Sequence, residues 1–201
     1  MLTAKRIFLA LTLCASTAAA QFGERTADRL ILAGSAGIFR IHHNNFTRIY
    51  GRRSGPAPGG AAVVKIRTPW HLAVKYRHFA LDHAATVEGA KVQLQWRERW
   101  INAGVRFLNR APGKMGNFFG FGLAFFRIEE TGPLSLFPEA GGERNTSGFF
   151  IDLGLDYRFA GRAAFFVEFE ITSATPDGGS GFEGASVGGY LLSAGLNLSV
   201  W

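Results

Sequence analysis

Ten charged side chains of this sequence could do chemistry as a set. Asp152, Asp156, Arg158, Glu168 and Glu170 stand on two neighbouring alternating runs, while Lys65, Arg67, Lys75, Arg77 and Arg106 stand on runs upstream. Three chemistries use such a set. Paired carboxylates can perform general acid–base work, and rings of fixed charge can select ions in a pore. Buried cations and anions can also do no more than neutralise one another. The choice depends on which face of which element carries each group.

The carboxylates lie within Ser147–Ala174, SGFFIDLGLDYRFAGRAAFFVEFEITSA, around the short turn Ala160-Gly161-Arg162. Phe149, Ile151, Leu153, Leu155 and Tyr157 share one face of the first arm, against Phe150, Asp152, Gly154, Asp156 and Arg158. On the second arm Phe165, Val167, Phe169 and Ile171 oppose Ala164, Phe166, Glu168, Glu170 and Thr172. Alternation of this period predicts a β-hairpin with two distinct faces. One face is a long aromatic and aliphatic row. The other carries mid-strand carboxylates that a dry core accepts only when they are paired. Lipid outside and a polar, filled interior inside suit both faces, as in a transmembrane β-barrel.

The cations repeat the design. In Ala61–Arg67, Ala62, Val64 and Ile66 alternate with Val63, Lys65 and Arg67; after Thr68-Pro69-Trp70, His71–Leu81 sets Leu72, Val74 and Tyr76 against Ala73, Lys75, Arg77 and Phe79. This hairpin brings cations where the other brings anions. A barrel of about eight strands has an interior just wide enough for side chains. The set therefore reads as a salt-bridge network plugging the lumen, and loss of one member would cost roughly 3–5 kcal/mol.

The start of the chain, MLTAKRIFLALTLCASTAAA, has the three parts of a secretory signal: basic Lys5 and Arg6, an apolar Ile7–Leu13, and the small exit Ala18-Ala19-Ala20. Residues 1–20 are expected to be removed before Gln21, leaving 21–201 as the barrel domain. The one cysteine, Cys14, falls inside that segment, so the mature chain has no disulfide. From Gln21 onward no apolar run is long enough for a membrane helix. The formal charge of +7 becomes +5 once Lys5 and Arg6 are gone (7 − 2 = 5). Export argues against nucleic acid as the partner of that charge; lipid head groups and lipopolysaccharide phosphates are expected instead.

The remaining strands follow from the same alternation. Leu30–Ile41 is the first, with small Gly34, Ser35, Ala36 and Gly37 at its middle to let a narrow barrel fill. Asn117–Ile128 is another, with Phe119, Phe121, Leu123 and Phe125 opposite Gly120, Gly122 and Ala124, and Val187–Trp201 is the last. External loops are expected at His42–Gly60, Asp82–Gly89, Glu129–Thr146 and Pro176–Gly184. Lys91–Asn109 is irregular: Val92, Leu94 and Trp96 are apolar in one phase, Ile101, Ala103, Val105 and Phe107 in the other. A bulge near Glu98–Trp100 in one strand produces that slip, and so do two strands with a turn at Arg97-Glu98-Arg99. An even count, eight, with both chain ends on one side favours one bulged strand.

NFFGFGLAFF, the GLDYRF-turn-AAFFVEFE hairpin and the closing GLNLSVW make the chain resemble the small outer-membrane β-barrel family of the OmpA transmembrane domain and OmpX-like proteins. The resemblance covers nearly all of residues 21–201. It implies that Trp201 is a terminal signal read by the barrel-assembly machinery. Leu196, Leu198 and Val200 are one position out of phase with Trp201, which implies either a late bulge or a displaced last residue. Lipid A deacylases of this general fold carry a serine two positions after their histidine; in Tyr76-Arg77-His78-Phe79-Ala80 that position is alanine. No nucleophile is available there.

Other motifs carry less. His42, His43, His71, His78 and His83 lack the spacing of a zinc site, and Gly178-Gly179-Ser180-Gly181 lacks the Gly-Lys-Ser/Thr ending of a phosphate loop. No catalytic residue, metal or cofactor is expected. The sequence thus predicts an all-β, antiparallel, up-and-down eight-stranded transmembrane barrel, plugged by charge, with a structural or adhesion-like surface role. A small ion- or solute-conducting channel is the alternative. A soluble lipocalin-like carrier, apolar inside and polar outside, is a third.

Overall fold

The computed structural model describes residues 29–43, 46–87, 89–110, 113–132, 143–174 and 187–200. Among them no helix is long and apolar enough to cross a membrane. Strands form the whole wall: β1 (Leu30–Ile41), β2 (Ser54–Pro56), β3 (Gly59–Arg67), β4 (Trp70–Val87), β5 (Ala90–Arg110), β6 (Met115–Thr131), β7 (Glu143–Ala160), β8 (Ala163–Ala174) and β9 (Gly189–Ser199). Each pairs antiparallel with its neighbour, and β1 also pairs with β9 from Ile31↔Ser199 to Ile41↔Gly189, which closes the barrel and leaves no open edge. β2 and β3 lie on β1 in one register, Ile38↔Pro56 and Ser35↔Gly59, interrupted only at Ala57-Pro58. Counted as one wall strand, they give an eight-stranded antiparallel barrel.

The wall is uneven in height. β4, β5, β6 and β7 run 18, 21, 17 and 18 residues, against 9 to 12 for β3, β9, β1 and β8. A tilted membrane strand needs roughly 9–11 residues, so β4–β7 project well past the bilayer. Segments 82–87, 129–131 and 143–146, expected in loops, are strand instead.

Height explains the irregular stretch on β5. Its pairing with β4 runs from Trp70↔Phe107 to Val87↔Ala90 without a shift, so there is one strand and no bulge. Even-numbered residues point inward all along it: Leu94, Trp96, Glu98, Trp100, Asn102 and Arg106 are buried. The apolar row changes face because the surroundings change. At the membrane level lipid is outside, so Ile101 is exposed and Arg106 is inside. Above it water is outside, so Arg97 is exposed and Trp96 is inside. The backbone keeps its phase while its solvent inverts.

Two other local expectations need correcting. Of the small residues on β1, Ser35 and Gly37 turn inward, whereas Gly34 and Ala36 lie on the outer face. His42–Gly60 is not simply an external loop. It contains a one-turn helix, α1 (Phe46–Tyr50), and β2, and both Phe46 and Tyr50 are fully buried in the barrel mouth. Phe46 stacks on Tyr50 at 4.6 Å, and both rings meet Trp96 edge-on. Residues 1–28, 175–186 and Trp201, with the signal peptide, Cys14, the Pro176–Gly184 loop and the assembly signal expected there, lie outside the described residues.

Candidate functional site

The interior is built in three layers. A mainly apolar cap occupies the projecting half, with Phe39, Phe46, Tyr50, Phe79, Trp96, Trp100 and Phe126 among its members and the buried carboxyls of Glu98 and Glu130 held by Trp96 and Tyr50. A floor of Ile31, Val63, Ala73, Leu108, Phe118 and Phe166 closes the other end. Between them lies a layer of charge, at the level where the outer face is apolar.

The layer holds Lys75 and Arg77 from β4, Arg106 from β5, Asp152 from β7, and Glu168 and Glu170 from β8. Period-two alternation places Lys75 and Arg77 on one face two residues apart, and does the same for Glu168 and Glu170. β4 and β8 stand opposite each other in the closed ring, so the two charged rows meet across the lumen. Lys75 Nζ donates to Asp152 Oδ2 at 2.5 Å and to Glu168 Oε1 at 3.4 Å, and it also donates to Glu170 Oε2. Arg106 Nη2 bridges Asp152 Oδ2 at 2.9 Å and Glu168 Oε2 at 2.7 Å. Arg77 reaches Glu168 Oε1 at 2.8 Å and donates to the Ser35 hydroxyl. Three cations meet three carboxylates, so the layer is neutral.

Neutral groups complete it. Trp100 Nε1 and Asn102 Nδ2 donate to Glu170 Oε1 at 3.1 and 2.9 Å. Lys75 Nζ lies 4.8 Å from the Phe150 ring centre and the Arg106 guanidinium 4.2 Å from that of Phe118, which ties the charge to the apolar cap and floor. Room for Asp152 comes from Gly120 opposite: a Cβ added there would stand 2.6 Å from Asp152 Oδ1.

Of the ten expected residues, the structure brings Lys75, Arg77, Arg106, Asp152, Glu168 and Glu170 together. Asp156 is buried and Arg158 half-buried on the same inner face of β7, nearer the strand end. Lys65 and Arg67 are corrected. They lie at the end of β3, half-buried and exposed respectively, at the rim and outside the network. Strand β3 ends there, and a long cation at a strand end reaches water without crossing the lumen. Sequence reading missed Ser35, Trp100 and Asn102. The parity of Arg106, carried unbroken up β5, points to the last two.

The arrangement narrows the chemistry. The oxygens of Asp152, Glu168 and Glu170 lie within 4.8 Å of one another, a donor set for a hard cation, but the Lys75 ammonium stands among them and contacts all three. All three carboxylate side chains are 2% exposed or less and paired with cations, a poor position for exchanging protons with a substrate arriving from solvent. In the mouth, Tyr50 donates its hydroxyl to Glu130 Oε1 at 2.5 Å. Burial, then the neighbouring carboxylate, pushes the Tyr50 hydroxyl above its ordinary range, so it remains a donor.

No family model and no curated protein matches the sequence. Solved structures do. Neisserial surface protein A is 13% identical, with a TM-score of 0.60 over 87% of this chain and 99% of that one. OprG, an outer membrane protein of Pseudomonas aeruginosa, is 13% identical at 0.58 over 88% and 97%. Ail, the attachment invasion locus protein of Yersinia pestis, solved with the heparin analogue sucrose octasulfate, is 13% identical at 0.50 over 87% and 100%. The fold is that of the small outer-membrane β-barrels. The OmpA/OmpX-like resemblance fits it, and the exposed row from Phe119 to Phe125 is then the lipid-facing surface of transmembrane strands.

Proposed function

We propose that this protein is a plugged outer-membrane barrel with a structural or surface-interaction role, exported on the residue 1–20 signal and presenting its long connections outside the cell. The observation that carries the reading is the filled interior: an apolar cap, a neutral charged layer and an apolar floor stacked along one lumen. A conducting pore needs a wet path, and buried ion pairs sealed at both ends by apolar side chains oppose one. The tall β4–β7 wall, standing clear of the membrane, offers a rigid mount for surface contacts. Assembly through recognition of Trp201, and contact with lipopolysaccharide, belong to the same reading. Fractionation of expressing cells, with trypsin added to intact cells, tests location and display together. The expected result is an outer-membrane protein cut only in the connections at the α1 end, and recovery in the soluble periplasmic fraction would overturn the reading.

A further inference from the structure

We infer that the outer wall carries a site for a phosphate-bearing acyl lipid of the surrounding membrane. Register lines up two rows across β4 to β7. The lower is Tyr76, Ile101, Phe125 and Ser147, and the next toward solvent is His78, Arg99, Arg127 and Asn145. Tyr76, Ile101 and Phe125 are each 47% exposed at the top of the apolar belt. A groove of about 540 Å³ runs along the two rows, lined by Tyr76, Arg99, Ile101, Phe125, Arg127 and Asn145.

The two guanidinium groups are held in place from above. Arg99 Nη2 contacts both Glu129 oxygens, at 2.9 and 3.1 Å. Arg127 reaches Glu129 through Nε at 3.3 Å and Glu143 through Nη2 at 3.0 Å. Among the described residues, neither Nη1 group is bonded in these pairs, and the side chains stay 39% and 52% exposed. Two guanidinium groups are thus matched by two carboxylates, and what they offer a ligand is their free outward donors. Guanidinium groups with free donors suit phosphate oxygens. The apolar row directly beneath suits an acyl chain, which a soluble phosphate compound would leave unused. This site rests on the outer-membrane reading and gives its lipid contact a place on the wall; it is measured on the purified barrel, without conductance or cell fractionation.

The test is native mass spectrometry of the folded full barrel, incubated in detergent with lipid A or with its dephosphorylated counterpart. The expected result is a one-to-one lipid A adduct, with retention lower by about tenfold or more for the dephosphorylated lipid and for the Arg99→Gln/Arg127→Gln double variant. Equal retention of the two lipids by the unmodified protein would overturn the inference. So would displacement of lipid A by inorganic phosphate, or undiminished binding by the double variant. If that variant does not fold, single Arg127→Gln and the comparison of the two lipids on the unmodified protein decide.

Discussion

Lys75 on β4 and Asp152 on β7 meet inside the barrel, Nζ to Oδ2 at 2.5 Å, with both side chains 1% exposed or less. Neither residue is near the other in sequence, and two strands separate them in the sheet. Their contact exists because inward rows on facing strands bring opposite charges to one level. Burial of each ion is unfavourable alone, so the pairing is what permits a charged layer where lipid covers the outside.

Replacing Lys75 with Met leaves Asp152, Glu168 and Glu170 short of one cation. The expected loss is about 3–5 kcal/mol, read as a lower urea midpoint for unfolding in lipid vesicles. Lys65→Met and Arg67→Met, at the rim, should stay within about 0.5 kcal/mol of the parent. Equal effects at Lys75 and Lys65 would contradict the network.

Gly120→Val tests how tightly the layer is packed, because the first added carbon already lies 2.6 Å from Asp152 Oδ1. Overpacking should destabilise by about 1–3 kcal/mol. Combined with Asp152→Gly, itself costly to the network, the total loss should be smaller than the sum of the two single changes. Full additivity of the two changes would show that they do not touch.

Tyr50→Ala removes a ring stacked on Phe46 and edge-on to Trp96, and the hydroxyl bonded to Glu130. Truncation of a buried aromatic costs about 3–5 kcal/mol, here concentrated on α1 rather than on the wall. Trypsin should therefore cut the folded variant faster after Arg48, Arg52 or Arg53, with strand β4 intact. Unchanged cleavage would show that α1 is held by something else.

Leu153→Arg places a cation on the outer face of β7, where Leu153 is 48% exposed. Near the bilayer centre that should cost about 2–4 kcal/mol. In detergent micelles, whose boundary can adjust, the effect should shrink. A substitution tolerated equally in both would argue that this face does not meet lipid.

The wall was legible because alternation survives in every strand. Phe119 to Phe125 and Leu153 to Tyr157 face out as their spacing predicts, and the meeting of the two charged rows follows from the same parity. What misled the reading of β5 was an assumption of constant surroundings. Trp96 and Ile101 are both apolar yet face opposite ways, since one sits above the membrane and the other within it. Above the belt the barrel follows the soluble rule, apolar inside and polar outside, and within it the membrane rule. Lys65 was misplaced for another reason: alternation gives its face, but a side chain two residues from the strand end at Arg67 reaches water at the rim instead of crossing the lumen. The buried Phe46 and Tyr50 were hidden because no period marks a single helical turn folded back into a mouth.

The central claim is that this lumen is closed. Planar-bilayer recording of the purified, folded barrel tests it most directly. The account predicts silence, with no reproducible current steps across a wide voltage range. Uniform, ion-selective steps from the parent protein, altered in size or selectivity by Glu168→Gln, would contradict it.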